Sequence, residues 1–117
     1  MIPVLFQDKS LVVCLKPPGV LSQDGAGQTL PALLREQLGC GIFPVHRLDR
    51  AAGGVMVYAK TSRAAGALSA AMPEFRKEYL CIVRGRPEEA EGNYQDLLLH
   101  DKARNKSFVV HRMLGGV

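Results

Sequence analysis

Several features are scarce in this 117-residue chain, and each absence narrows what it can be. Its three cysteines, Cys14, Cys40 and Cys81, are odd in number and nowhere near a C-x-x-C spacing. That excludes a disulfide framework and a cysteine-based zinc site, and reads as reduced thiols in a cytoplasmic protein. No apolar run approaches the roughly 18 residues that a membrane span needs. The N-terminus, Met1-Ile2-Pro3-Val4-Leu5-Phe6-Gln7-Asp8, lacks the basic stretch and long apolar stretch of a secretory leader. There is no internal repeat and no low-complexity tract, so a solenoid or a disordered linker is not expected.

What remains is the composition of an ordinary globular domain, 47% hydrophobic and 22% charged. A chain of this length is one domain or part of one and can bury a real core. The formal net charge of +4 favours an acidic partner such as nucleic acid without proving one.

Read in order, Val4-Leu5-Phe6 and Leu11-Val12-Val13-Cys14-Leu15 are two strands joined by a turn at Asp8-Lys9-Ser10. Lys16-Pro17-Pro18-Gly19 must end the second, because proline cannot donate to a ladder and restricts the residue before it. Leu30, Leu33, Leu34 and Leu38 recur at helical spacing, with Thr29 as cap, Pro31 in the first turn and Gly39 as stop. The apolar run Gly54 to Ala59 predicts a strand covered on both faces. Thr61 caps a second helix reaching Met72, with Ala64, Ala65, Leu68 and Met72 on one face and Pro73 ending it. Phe75 to Gly85 predicts a further strand, with Tyr79, Cys81 and Val83 on one side. Asn93 to Leu99 and Lys106 to Val110 are two more candidates, around the charged loop His100 to Asn105. The expected class is α+β, a mixed, largely antiparallel sheet with two helices.

One stretch concentrates chemistry. His46-Arg47-Leu48-Asp49-Arg50 sets a carboxylate between two guanidinium groups, immediately before Ala51-Ala52-Gly53-Gly54 and an apolar strand. Nearby positive charge should keep Asp49 ionised. Charge alone fits a surface ion pair equally well. His46 on its own reads as a hydrogen-bonded structural histidine, and with no other ligand at suitable spacing a metal is not expected.

The order of these strings is more specific than their charge. His46-Arg47-Leu48-Asp49-Arg50, followed by Gly54, an apolar strand and Ala59-Lys60, resembles the signature of RNA pseudouridine synthases of the RluA type. Leu11 to Val20 resembles that family's entry strand and Lys-Pro-x-Gly turn, and Lys77-Glu78-Tyr79-Leu80 its Lys-x-Tyr strand. The resemblance implies isomerisation of uridines in RNA, either rRNA or tRNA, to pseudouridine, without cofactor or metal. It implies that Asp49 is the catalytic carboxylate, acting on the sugar either by attack or by helping to remove a proton. Tyr79 would line the pocket against the base, Arg47 would hold the flipped-out nucleotide, Arg50 would contact phosphate, and Lys16 would touch RNA or brace its loop. A late basic group, Lys102, Arg104 and Lys106, offers further phosphate contacts or only a solvated face.

Two departures accompany the match. The family's Thr-Ser before the glycine is Ala52-Gly53 here, which removes two hydroxyls that would brace the loop. Gly53 and Gly54 in turn allow another backbone to come close. Nothing after Val110 resembles the family's later Thr-Gly-Arg-x-His-Gln motif or its basic partner for the aspartate. Residues 1–117 are therefore expected to be the N-terminal portion of a pseudouridine synthase catalytic domain. Such an incomplete sheet invites self-association, and a non-catalytic RNA-binding fragment is the alternative to an active enzyme.

Overall fold

The computed structural model describes residues 1–93, 97–101 and 106–110. The chain divides into two compact units, Met1–Glu78 and Tyr79–Val117.

The first unit is built on four strands, β1 (Val4–Gln7), β2 (Leu11–Lys16), β3 (Phe43–Pro44) and β4 (Gly54–Ala59), in the order β1-β2-β4-β3. Every neighbouring pair is antiparallel. Two α-helices, α1 (Leu30–Leu38) and α2 (Ser62–Ala71), complete the α+β class read from the sequence. The β1–β2 turn forms because the Asp8 Oδ1 accepts from the backbone N–H groups of Ser10 at 2.7 Å and Leu11 at 3.0 Å. These bonds hold the Asp8 carboxyl below its ordinary pKa.

Local signals fix α1 at both ends. Thr29 Oγ1 accepts from the Ala32 N–H at 3.3 Å, and Gly39 closes the helix at φ 65°, a left-handed conformation that glycine adopts without a steric cost. Leu30 and Leu34 are fully buried and pack with Val12, Cys14, Met56 and Tyr58 from one face of the sheet. Burying each such leucine contributes about 1.5–3 kcal/mol. Cys14 sits deep enough that burial pushes its thiol up to about 11, so it is an inert core residue. Gln37, lower on α1, exchanges two hydrogen bonds with the Ile2 backbone at 2.8 and 2.9 Å, so its amide acts as a strand partner for the N-terminal residues.

The second helix follows its expected face only in part. Ala64, Ala65 and Leu68 are half-buried, but no α2 residue is fully buried. After Ala71 the chain tightens into a 3-10 turn at Met72–Glu74, so Pro73 sits inside that turn and ends the α-helix just before it.

Two expectations fail, each for a physical reason. β4 is not covered on both faces: Met56 and Tyr58 are buried while Val55 is 60% exposed. The register pairs Phe6 with Val13, Val13 with Val57 and Leu15 with Val55, so these residues share a second sheet face, and α1 covers only the first. Phe75 to Gly85 forms no strand. A strand exists only by pairing, and no ladder reaches this segment among the described residues. Leu80 and Ile82 are left fully exposed.

In the second unit residues 79–93 carry no helix or strand, and β5 (Leu97–Asp101) pairs antiparallel with β6 (Lys106–Val110), from Leu97 with Val110 to Asp101 with Lys106. β6 falls where the sequence placed it. The other strand begins later than Asn93 and absorbs His100 and Asp101, which were assigned to the loop. Residues 94–96 of that expected strand, and Lys102 and Arg104 of the basic group, lie outside the described residues.

Candidate active site

The antiparallel register brings two sequence motifs to one end of the sheet. β2 leaves the sheet at Lys16, directly opposite Gly54, where β4 enters it. The turn Pro17-Pro18-Gly19 and the loop 46–53 are therefore neighbours although more than thirty residues separate them in sequence. Their backbones touch: the Gly19 N–H donates to the Arg50 carbonyl at 2.6 Å. A Cβ on Gly53 would lie 3.1 Å from Pro18 Cδ and 3.2 Å from the Lys16 carbonyl, so the glycine is what allows the loop to lie this close.

Lys16 is 2% exposed and is the cation at the centre of this contact. Its Nζ donates to the carbonyls of Pro17 at 2.9 Å, Val20 at 2.7 Å and Arg50 at 3.1 Å. Three N–H donors meet three acceptors, which offsets the cost of burying an ammonium. Burial lowers its pKa from the ordinary lysine value, and the field of the Asp49 carboxylate opposes that shift. Of the two roles expected for Lys16, the geometry is that of a brace, with no N–H left for a phosphate.

Asp49 is exposed in the irregular stretch 47–49, and its carbonyl accepts from the Ala52 N–H at 3.0 Å to close the following turn. The surface ion pair that charge alone would also fit is not seen among the described residues. Among the described residues neither Arg47 nor Arg50 forms an ion pair with Asp49 within 4 Å. Both arginines are exposed. The carboxylate and both guanidinium groups thus face solvent at one loop, where an anionic polymer can meet the two cations.

His46 holds the start of the loop. Its Nε2 accepts from the Val57 N–H at 3.1 Å. β3 ends at Pro44 opposite Tyr58, so the imidazole takes over the acceptor position on β4 that the departing strand gives up. This bond requires an unprotonated Nε2, and burial with the nearby Lys77 ammonium lowers the ring's pKa from 6.5. The structural role read for His46 from the sequence is the one seen.

A buried hydroxyl that sequence reasoning missed also holds the loop. Ser22 is 3% exposed; its Oγ accepts from the Leu48 N–H at 3.0 Å and its carbonyl accepts from the Tyr58 hydroxyl at 2.6 Å. Its only sequence signal is a serine opening the polar segment after Val20-Leu21, which is too common a pattern to single it out. Arg35 makes a bidentate pair with Asp24 at 2.6 and 3.0 Å and also donates to the Ile42 carbonyl at 2.7 Å, which pins the intervening polar segment to α1.

The residues gathered in the first unit are thus Lys16, Ser22 and His46 to Arg50. Tyr79, the expected base contact, belongs to the second unit and is 70% exposed on chain with no ladder. Among the described residues no cluster of histidine, cysteine and carboxylate side chains is built to hold a metal ion, and no helix is long and apolar enough to cross a membrane.

A family model described as RNA pseudouridylate synthase matches residues 10–113, nearly the whole chain. The chain belongs to the RNA pseudouridylate synthase family. Similar members of the family include the tRNA pseudouridine synthase C of Haemophilus ducreyi, 37% identical over 88% of this chain and 46% of its own. That of Vibrio cholerae is 39% identical over 77% of this chain and 40% of its own. Among solved structures, human RNA Pseudouridylate Synthase Domain Containing 4 superposes with a TM-score of 0.51 at 32% identity, covering 62% of this chain and 30% of that one. The chain thus spans under half the length of the relatives it matches. The pseudouridylate synthase match includes both motifs that the β2–β4 register brings together, the Lys16 turn and the Asp49 loop.

Proposed function

We propose that this chain is the N-terminal portion of an RluA-type pseudouridine synthase catalytic domain and that Asp49 is the carboxylate that acts on the target uridine. The observation that carries this reading is the exposed Asp49 carboxylate, paired with neither Arg47 nor Arg50, on a loop whose backbone is pinned by Lys16, Gly19 and Ser22. Breaking the bond from ribose C1′ to N1 develops positive charge at C1′. A fixed carboxylate stabilises that charge or bonds to the carbon. After the base turns, C5 is joined to C1′ as any bond from Asp49 to that carbon breaks; the proton on C5 is lost to solvent and N1 takes one up, so the product is an isomer of the substrate.

The target must be unstacked before Asp49 can reach its sugar. Arg47, exposed two residues before the carboxylate, is suited to hold the nucleotide in that state, and Arg50 to contact phosphate. Tyr79 is assigned to the base, on which an aromatic ring can stack. The names of the relatives point to tRNA as substrate, with rRNA the other candidate. The reaction needs no cofactor or metal, and the protein is placed in the cytoplasm with its RNA.

The test is tritium release from tRNA labelled at uridine C5. Release by the wild-type chain, abolished in Asp49→Asn with RNA binding retained, is the expected result, and equal release by both proteins would overturn the role of Asp49. RNA binding without release by either protein would favour the second reading, a non-catalytic RNA-binding fragment. The short span of the chain relative to its relatives keeps that reading open. The same reading assigns the exposed apolar face of Phe6, Leu15 and Val55 to self-association. Sedimentation at rising concentration should show oligomers that Val55→Lys suppresses.

A further inference from the structure

Resting on the reading of this chain as one that acts on uridine in RNA, we infer that the polar loop 22–29 reads a base beside the target uridine, with Gln23 as the specificity-determining residue. The loop starts at the candidate active site. Val20 and Arg50 present their carbonyls to one and the same ammonium, and Ser22 Oγ accepts from the Leu48 N–H at 3.0 Å, so residues 20–22 run alongside residues 48–50. Gln23 and Asp49 each stand one residue beyond that last hydrogen bond. A strand that sets its uridine at Asp49 therefore brings a neighbouring nucleotide to Gln23.

The loop is exposed yet held in shape. At its base the Leu30 N–H donates to the Leu21 carbonyl at 2.8 Å, and Leu21 bridges Thr29 in parallel. Beyond Gln23, Arg35 grips both oxygens of Asp24, the only charged residue in the loop. An ion pair this exposed contributes little to stability, so its consequence is local: it offsets the one negative charge that would repel phosphate and fixes the residue next to Gln23. Room for a base is left as well, since a Cβ on Gly27 would meet nothing within 4 Å. Gln23 is exposed, and among the described residues no hydrogen bond occupies its carboxamide. A carboxamide sets a donor beside an acceptor, which match the N7 acceptor and N6 donor of adenine. Phosphate contacts at Arg47 and Arg50 carry no sequence information, so discrimination needs a neutral reader of this kind beside them. An unpaired strand exposes the base edges it would read.

The test measures binding of the whole 117-residue chain to single-stranded RNA heptanucleotides by fluorescence anisotropy. The central base is uridine, and each of the four bases stands in turn on either side of it. Wild type should bind the best RNA, one with adenine beside the uridine, about tenfold more tightly than the weakest. Gln23→Ala should still bind RNA but lose that advantage, and Gln23→Glu, whose carboxylate only accepts, should favour cytosine in place of adenine. Lys9→Ala, in the turn at the opposite end of β2, should leave the wild-type order unchanged. Equal binding of all the RNAs by wild type, or the wild-type order persisting in Gln23→Ala, would overturn the inference. Failure to bind any of them would overturn it together with the RNA reading on which it rests. Binding with the expected preference but without tritium release from tRNA would support it and count against the catalytic role of Asp49 alone.

Discussion

Two stretches of this protein carry equally recognisable family strings and fold quite differently. The loop 46–54 has its backbone held from outside by a serine hydroxyl, a buried ammonium and a glycine amide, and it holds β4 in return through the His46 ring. The segment 75–83 has alternating apolar residues of high strand propensity, no ladder, and Leu80 and Ile82 fully exposed. The difference lies in where the partners are. Every group that fixes the loop is supplied by residues 16 to 58, whereas a strand at 75–83 needs a neighbouring edge that the described residues do not offer it. Matching a motif and folding that motif are separate properties, and the second depends on hydrogen-bonding partners within reach.

The largest expected effect sharpens this contrast in the core. Leu34→Ala, at a fully buried site under the sheet, should destabilise the protein by about 2–5 kcal/mol, whereas Ile82→Ala should change stability by less than about 0.5 kcal/mol. Chemical denaturation of both variants checks the pair, and a cost at Ile82 comparable to that at Leu34 would show that the segment packs after all.

A smaller effect concerns pH. Because the folded protein holds the His46 pKa below its ordinary 6.5, the unfolded chain binds the proton more readily. The stability linked to this group is fully present above 6.5 and is lost as pH falls from there toward the lowered folded value. His46→Gln retains an acceptor for the Val57 N–H and cannot titrate. Denaturation curves between about pH 7 and pH 5 should show wild type losing stability relative to the glutamine variant, and parallel curves would remove His46 from the loop's support.

Much of the first unit was legible in sequence because its signals are local. Thr29, Pro31 and Gly39 bound α1 within ten residues, Asp8 closes its own turn, and the prolines after Lys16 stop β2 wherever the rest of the chain goes. The apolar periodicity correctly singled out Leu30 and Leu34. What stayed hidden depends on distant geometry. Lysines are rarely fully buried, and nothing beside Lys16 announces that the Arg50 carbonyl, 34 positions away, will accept from it. The part played by Ser22 is hidden for the same reason, since its acceptor role toward Leu48 spans 26 positions. The Asp49 carboxylate was visible as a candidate, but its freedom from Arg47 and Arg50 was not, because adjacency in sequence does not turn side chains toward one another. Phe75 to Gly85 misled for the opposite reason: its propensity is strong, and propensity does not supply a partner.

The most direct test of this contrast is native-state amide exchange on the wild-type chain. The amides of Gly19, Leu48, Ala52 and Val57 should be protected, while those of residues 76–83 exchange at the rates of an unstructured peptide. Protection across 76–83, or its absence at Gly19 and Leu48, would contradict the account of a self-supported active-site loop beside a strand without a partner.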